Sequence, residues 1–222
     1  MNIYLHDLMA FFHVVLFVYA IGGDIAVYYI GNYITKDELP IEERLRVRSM
    51  RFIVDMSART SLVLLLPIGF TLATAFGSSI DGIMLQAIWV FSIIWLILIW
   101  VVHFKRETQE GETFRIIDLG IRYILSLGLF GLGLYSFFSD EIIPSNWLAL
   151  KVSIFGLILM NGIWIRRIVG KMRNSILMVQ NSQDKHIAEA TIKKQQATLN
   201  QAALMIWILV ITMAFLGQVK PF

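Results

Sequence analysis

The chain has 222 residues, of which 57% are hydrophobic and only 16% charged, with a formal net charge of +3. A soluble domain carries about a quarter charged residues, and a water-soluble core could not bury this much apolar surface. Cysteine is absent, which excludes disulfides, thiolate metal ligands and cysteine nucleophiles.

Six apolar runs are long enough to cross a membrane, since a spanning helix needs roughly 20 mostly apolar residues. They cover about residues 8–30, 57–76, 84–104, 116–138, 147–169 and 202–217. The N-terminal segment lacks the basic region and cleavage site of a signal peptide, so we expect the first run to remain a helix. The pattern predicts one all-α domain over residues 1–222, a polytopic bundle of six transmembrane helices.

Positive charge is concentrated in alternate connections between the runs, the first, third and fifth, whereas the second and fourth contain no Lys or Arg. Cytoplasmic loops carry the excess of Lys and Arg. This asymmetry predicts both termini outside, in a bacterial cytoplasmic (inner) membrane. Only Lys220 lies on the wrong side. Because topology accounts for the basic residues, no nucleic-acid binding is expected.

Residues 171–201 are polar, rich in helix formers and free of Pro and Gly. They predict a cytoplasmic helical hairpin between helices five and six, with a turn near residues 181–184. Two interpretations of its apolar residues stay open, a contact with a partner or second copy and a simple solvated hairpin. Those residues are Met172, Ile176, Leu177 and Met178.

The first helix carries polar residues where lipid would penalise them. His6, His13 and Asp24 fall on one narrow stripe of a helix with 100° per residue, which should face the bundle interior. The adjacent Gly22 and Gly23 allow a neighbouring backbone or a flat ligand to approach closely.

Helices two and four each begin with an acid four residues before an arginine, Asp55 with Arg59 and Asp118 with Arg122. This order favours pairing within a helix. With Asp24, and with His103 at the end of helix three, the pairs predict a polar cluster on the cytoplasmic side. Its role is either structural or the binding by Arg59 and Arg122 of an anionic group, such as a haem propionate or a lipid phosphate.

The segment from His13 to Gly22-Gly23 resembles the first-helix signature of the bacterial copper-resistance D and HemJ-type superfamily, although Ala20 stands where a tryptophan is usual. The stretch from Asp55 to Thr60, followed by Leu66-Pro67-Ile68-Gly69, is similar to the second helix of an uncharacterised family within it. The resemblance implies a helical membrane bundle in which His13 ligates b-type haem. It further implies either protoporphyrinogen oxidation or copper handling, but the lysine of the HemJ-type proteins has only Lys105 as a weak counterpart.

His13 and His103 are the candidate iron or metal ligands, and they are expected at different depths. At 1.5 Å per residue, His13 lies roughly 10 Å and His103 roughly 28 Å below the outer edge. They should therefore not ligate one iron together. A methionine is one alternative sixth ligand, from Met84, Met160 or Met213.

The sequence patterns, together with what the resemblance implies, leave three functions open. The first is a haem-b-binding membrane protein in electron transfer or haem handling, with enzymatic oxidoreductase activity left open. The second is a transporter or channel for protons or for a metal such as copper, with the polar stripe of the first helix as its path. The third is a non-catalytic subunit of a membrane complex or homo-oligomer, in contact with lipids and partners through Gly128, Gly131 and Gly133.

Overall fold

A computed structural model describes residues 3–106, 108–139, 141–180 and 185–221. The described chain is helical. Each of its six α-helices contains a stretch long and apolar enough to cross a membrane, which confirms the prediction of an all-α bundle with six candidate spans. The helices are α1 (Ile3–Ile34), α2 (Ile41–Ala73), α3 (Gly82–Phe104), α4 (Gln109–Ser139), α5 (Asn146–Gln180) and α6 (Lys185–Val219).

Most helices extend beyond the apolar runs, and α2 begins 16 residues before the predicted start at about residue 57. Its added segment follows Pro40, which cannot continue a preceding helix, and carries Glu42 and Glu43 in its first turn. Acidic residues stabilise a helix N-terminus through the helix dipole. The arginine-rich part of the first connection is therefore helix.

Each helix packs against its neighbours in the chain, and α6 packs against α1, so the bundle closes on itself. We call the end with the α1–α2, α3–α4 and α5–α6 connections the basic end. The end with both chain termini is the terminal end. The main apolar core lies among α2, α3, α4 and α5, and includes Val63, Phe70, Trp95, Leu129 and Leu159.

Glycines let α4 and α5 approach each other closely. A Cβ on Gly133 would lie 2.5 Å from the Ala149 carbonyl oxygen, and one on Gly156 would lie 2.7 Å from the Ser126 carbonyl oxygen. Gly133 therefore serves packing within the chain. Gly128 and Gly131, also predicted as contact residues, face open space.

At the basic end, α5 and α6 continue as a polar extension, defined as residues 171–180 and 185–201. The predicted turn at residues 181–184 lies outside the described residues. Met172 and Ile176 are buried in a core between the two helices, whereas Leu177 and Met178 are exposed. Two of the four apolar residues that were considered for a partner contact thus pack inside the chain.

The extension is fixed to the start of α2 by a buried ion pair. The Arg44 guanidinium donates to both Glu189 carboxylate oxygens, at 2.6 and 2.9 Å, and its Nε donates to the Ile34 carbonyl oxygen. Nearby, exposed Lys193 donates to Asp37 at 2.7 Å, and this hydrogen bond holds the pKa of the Asp37 carboxyl below its usual value. The extension, α1 and α2 therefore form one packed unit.

Candidate functional site

A fully buried carboxylate, Asp118 on α4, is the centre of a charged cluster in the basic half of the bundle. The Trp95 indole nitrogen donates to it at 2.8 Å, from α3. Arg122 Nε lies 3.2 Å from both carboxylate oxygens, and Arg166 of α5 reaches one of them at 2.5 Å. A buried carboxylate requires such partners, because leaving it unpaired in an apolar medium is very costly.

Arg122 is the residue of this cluster that is best placed to bind a ligand, although it is only 6% exposed to solvent. Its Nε binds Asp118 and its guanidinium lies over the Trp95 ring, 5.3 Å from the ring centre. One terminal nitrogen, Nη2, is buried without a hydrogen-bond partner. A buried donor left unpaired costs free energy, so a ligand oxygen at this nitrogen would stabilise the protein.

A second part of the cluster lies between α1 and α2. Asp55 and Arg59 form an ion pair, as their spacing predicts. Asp24 of α1 is within electrostatic range of both. The helices are close here, since a Cβ on Gly23 would lie 3.1 Å from the Ala58 backbone nitrogen.

The two parts form one electrostatic system, because Arg122 and Arg166 both interact with Asp55 and Arg59. Arg51, one turn before Asp55 on α2, is within electrostatic range of Asp55 and Arg59. We define the arginine–carboxylate cluster by its side chains, which are Asp24, Asp55, Asp118, Arg51, Arg59, Arg122 and Arg166. With every member charged, three carboxylates face four guanidinium groups. The cluster then has one positive charge in excess, and an anionic group would neutralise it.

The structure brings together the residues predicted for the cytoplasmic-side cluster. His103, near the end of α3, also lies within electrostatic range of Arg59 and Asp55. Sequence reasoning missed Trp95 and Arg166. Arg166 lies inside the predicted fifth span, which is a signal of burial, but it was assigned to the basic connection. Nothing in the sequence pattern pairs Trp95 with Asp118.

The terminal half contains a different group of polar side chains, His6 and His13 on α1 and Lys151 on α5. Each histidine has a buried Nδ1 without a hydrogen-bond partner. The His13 ring lies against α2, with its Cε1 3.7 Å from the position of a Cβ on Gly69. Lys151 is within electrostatic range of His13. These three residues are the histidine–lysine group.

The remaining predicted binding residues lie in different surroundings. Gly22 faces open space while Gly23 packs on α2, so only Gly22 leaves its surface free. Lys105 lies in the α3–α4 connection and pairs with Glu110. Within the described ranges, no three His, Asp or Glu side chains are grouped so that they could hold a metal ion.

Comparison of the chain with protein-family models, with curated proteins and with solved structures finds no match.

Proposed function

We propose that this membrane protein binds an anionic ligand at the arginine–carboxylate cluster. The observation that carries the proposal is the buried, unpartnered Nη2 of Arg122 in a cluster with one positive charge in excess. A guanidinium binds carboxylate or phosphate oxygens through parallel N–H groups, and burial strengthens such contacts. Arg59 supplies a second, partly exposed guanidinium for the same group.

The proposed location is the bacterial cytoplasmic membrane, with both termini outside and the polar extension in the cytoplasm. The distribution of Lys and Arg supports this orientation, since the basic end carries all of them except Lys151 and Lys220. The ligand would then bind in the cytoplasmic half of the bundle. A reporter fused after Phe222 that is active only in the periplasm checks the orientation, and activity only in the cytoplasm would overturn it.

Haem b is the ligand that we propose first, in electron transfer or haem handling. Its propionates are anionic groups suited to Arg59 and Arg122, and an imidazole ligand for iron is present in each half, as His103 and His13. The donor types therefore fit, and His103 shares the half of the bundle that holds the arginines. A bound haem would supply one-electron redox chemistry.

A visible absorption spectrum of protein purified from haem-replete cells tests the haem proposal. We expect a Soret band that decreases in His103→Ala or His13→Ala and in Arg122→Gln. His186→Ala is the matched control, because that histidine is exposed on the polar extension. A colourless, folded preparation would exclude haem as the ligand.

The broader proposal has its own test, which does not depend on colour. Native mass spectrometry should show a retained anionic molecule on the wild type that is lost in Arg122→Gln. Arg115→Gln is the control, since this arginine is exposed and pairs with Glu112. If the spectrum of bound molecules is the same for wild type and Arg122→Gln, the cluster has only a structural role.

Proton transport is a second candidate, favoured by the inward face of α1. His6, His13 and Asp24 are less exposed than the apolar residues on the opposite side of this helix, such as Phe11 and Tyr19. Ionisable side chains inside a membrane bundle line proton paths in pumps and transporters. Protein in liposomes with a pH-sensitive dye should then show a proton flux that Asp24→Asn abolishes. An equal flux in that variant would exclude Asp24 from the path.

A further inference from the structure

The terminal end of the bundle contains only two of the chain's 19 Lys and Arg residues, and both approach the same aromatic ring. The Lys151 ammonium lies 5.9 Å from the ring centre of Trp147, and the Lys220 ammonium lies 5.8 Å from it. Trp147 is itself only 7% exposed. The two cations of the terminal end thus both lie close to the Trp147 ring.

Each lysine reaches this place through a specific local structure. Lys151 is the sixth residue of α5 and extends along α6, where its Nζ lies 2.6 Å from the position of a Cβ on Gly217. Lys220 follows the last residue of α6 and also lies over the Phe76 ring, at 4.5 Å. A side chain at position 217 would displace the Lys151 ammonium from its present position.

No carboxylate among residues 3–106, 108–139, 141–180 and 185–221 forms an ion pair with either lysine. The aromatic rings attract both cations, but an aromatic ring carries no net charge, so the positive charge is uncompensated within the described ranges. Two ammonium groups over one ring repel each other, and lysines that merely extend to water would move apart. The arrangement is therefore favourable with an anion between them.

The position within the bundle indicates the kind of anion. Lys151 lies within two turns of the start of α5, and Lys220 lies just beyond α6, at the level where an apolar helix leaves the membrane. Tryptophan at a helix end is typical of the headgroup region. The anion present at that level on every phospholipid headgroup is a phosphate, and lysine binds phosphate as a point charge.

We propose that Lys151 and Lys220, which interact electrostatically with each other, together bind one phosphate group at the terminal end beside Trp147. The phosphate belongs either to a membrane phospholipid or to a soluble phosphate in the adjoining water. This site is separate from the arginine–carboxylate cluster, and neither proposal depends on the other.

Native mass spectrometry of the full chain in detergent tests the site by titration with phosphatidylglycerol. The matched neutral lipid is diacylglycerol with the same acyl chains. For Lys151→Gln with Lys220→Gln we expect phosphatidylglycerol binding weakened by about tenfold or more, because both charges that hold the phosphate are removed. Diacylglycerol should bind more weakly than phosphatidylglycerol to the wild type and equally to both proteins.

Two further variants distinguish the effect of charge at the site from the effects of side-chain shape and of general attraction between lysines and lipid. Lys151→Arg with Lys220→Arg keeps the charge and should bind phosphatidylglycerol within about threefold of wild type. Lys171→Gln with Lys194→Gln removes two exposed lysines of the polar extension and should leave the terminal site unchanged. Thermal unfolding of each variant, followed by circular dichroism, verifies that it is folded.

Inorganic phosphate as a competitor identifies the source. Displacement of phosphatidylglycerol at millimolar phosphate identifies a soluble phosphate as a ligand, and no displacement identifies the lipid headgroup; both results support the site. Equal phosphatidylglycerol binding by wild type and the double glutamine variant would overturn the proposal. Equal loss in the arginine and glutamine variants would overturn it too, since charge would then not be the cause.

Discussion

The two halves of this bundle hold their buried polar groups in different ways. In the basic half, arginines and carboxylates from several helices pair, and fully buried Asp118 has three donors. In the terminal half, the two buried histidine nitrogens have no partner among the described residues, and both lysines lie against aromatic rings. The halves therefore differ in whether their buried polar groups are paired with carboxylates.

The difference indicates which groups hold the fold together and which are available to a ligand. An ion pair already formed within the protein contributes to stability through its partner, and removing one member leaves the other charge uncompensated. A buried polar group without a partner costs free energy until something binds it. Arg122 belongs to both classes, because its Nε is paired while its Nη2 is not.

The largest expected effect is that of Asp118→Asn, which removes the charge facing Arg122 and Arg166. Breaking a buried ion pair costs about 3–5 kcal/mol, so the free energy of unfolding should fall by that amount. Thermal or denaturant unfolding in detergent, followed by circular dichroism, measures it. Asp37→Asn is the control, since Asp37 is exposed, and it should be as stable as wild type. Wild-type stability of Asp118→Asn would remove the distinction between the halves.

A smaller effect is expected at the polar extension for Glu189→Gln. Its buried pair with Arg44 joins α6 to α2, and loss of the charge should cost about 3 kcal/mol. Lys193→Gln, four residues further along α6, breaks an exposed pair and should show no measurable loss. Protease cleavage within residues 171–201 gives an independent readout. Similar behaviour of the two variants would show that the extension is not fixed by the buried pair.

Helix spacing gives the next prediction. A Cβ on Gly23 would lie 3.1 Å from the α2 backbone, so Gly23→Ala should cost about 1–3 kcal/mol through overpacking. Gly22→Ala adds a methyl group to open space and should be neutral or slightly stabilising, because alanine favours helix. In the terminal half, Gly69→Ala meets only an ordinary contact with His13 and should cost little. A large loss of stability in Gly69→Ala would contradict the observation that α1 and α2 are less closely packed at Gly69 than at Gly23.

The smallest expected change is that of His13→Leu in protein prepared without haem. The His13 Nδ1 is buried without a partner, so replacing the imidazole by an apolar side chain should change the free energy of unfolding by no more than about 1 kcal/mol. Unfolding in detergent tests this against Asp118→Asn under the same conditions. A loss as large as that of Asp118→Asn would mean that His13 is a structural partner, and the terminal half would then resemble the basic half.

Much of the basic half could be predicted from sequence, because its pairs are local. Asp55 with Arg59 and Asp118 with Arg122 are one helical turn apart, and that spacing alone brings acid and base together. The stripe on α1 likewise follows from helical periodicity, and His6, His13 and Asp24 lie on the less exposed side of the helix. Residues distant in the chain, Trp95 and Arg166, could not be assigned to Asp118, since their contact depends on how α3, α4 and α5 pack.

The sequence by itself determined the helical membrane bundle, because hydrophobic length and helical period are properties of each segment alone. It did not determine which side chains lack partners. Packing between helices leaves one Arg122 nitrogen without a partner and places α2 in the space beside Gly23. It also brings Lys151 and Lys220 to Trp147. Pairing within one helix depends on spacing, whereas pairing between helices depends on rotation and depth, which only the tertiary structure decides.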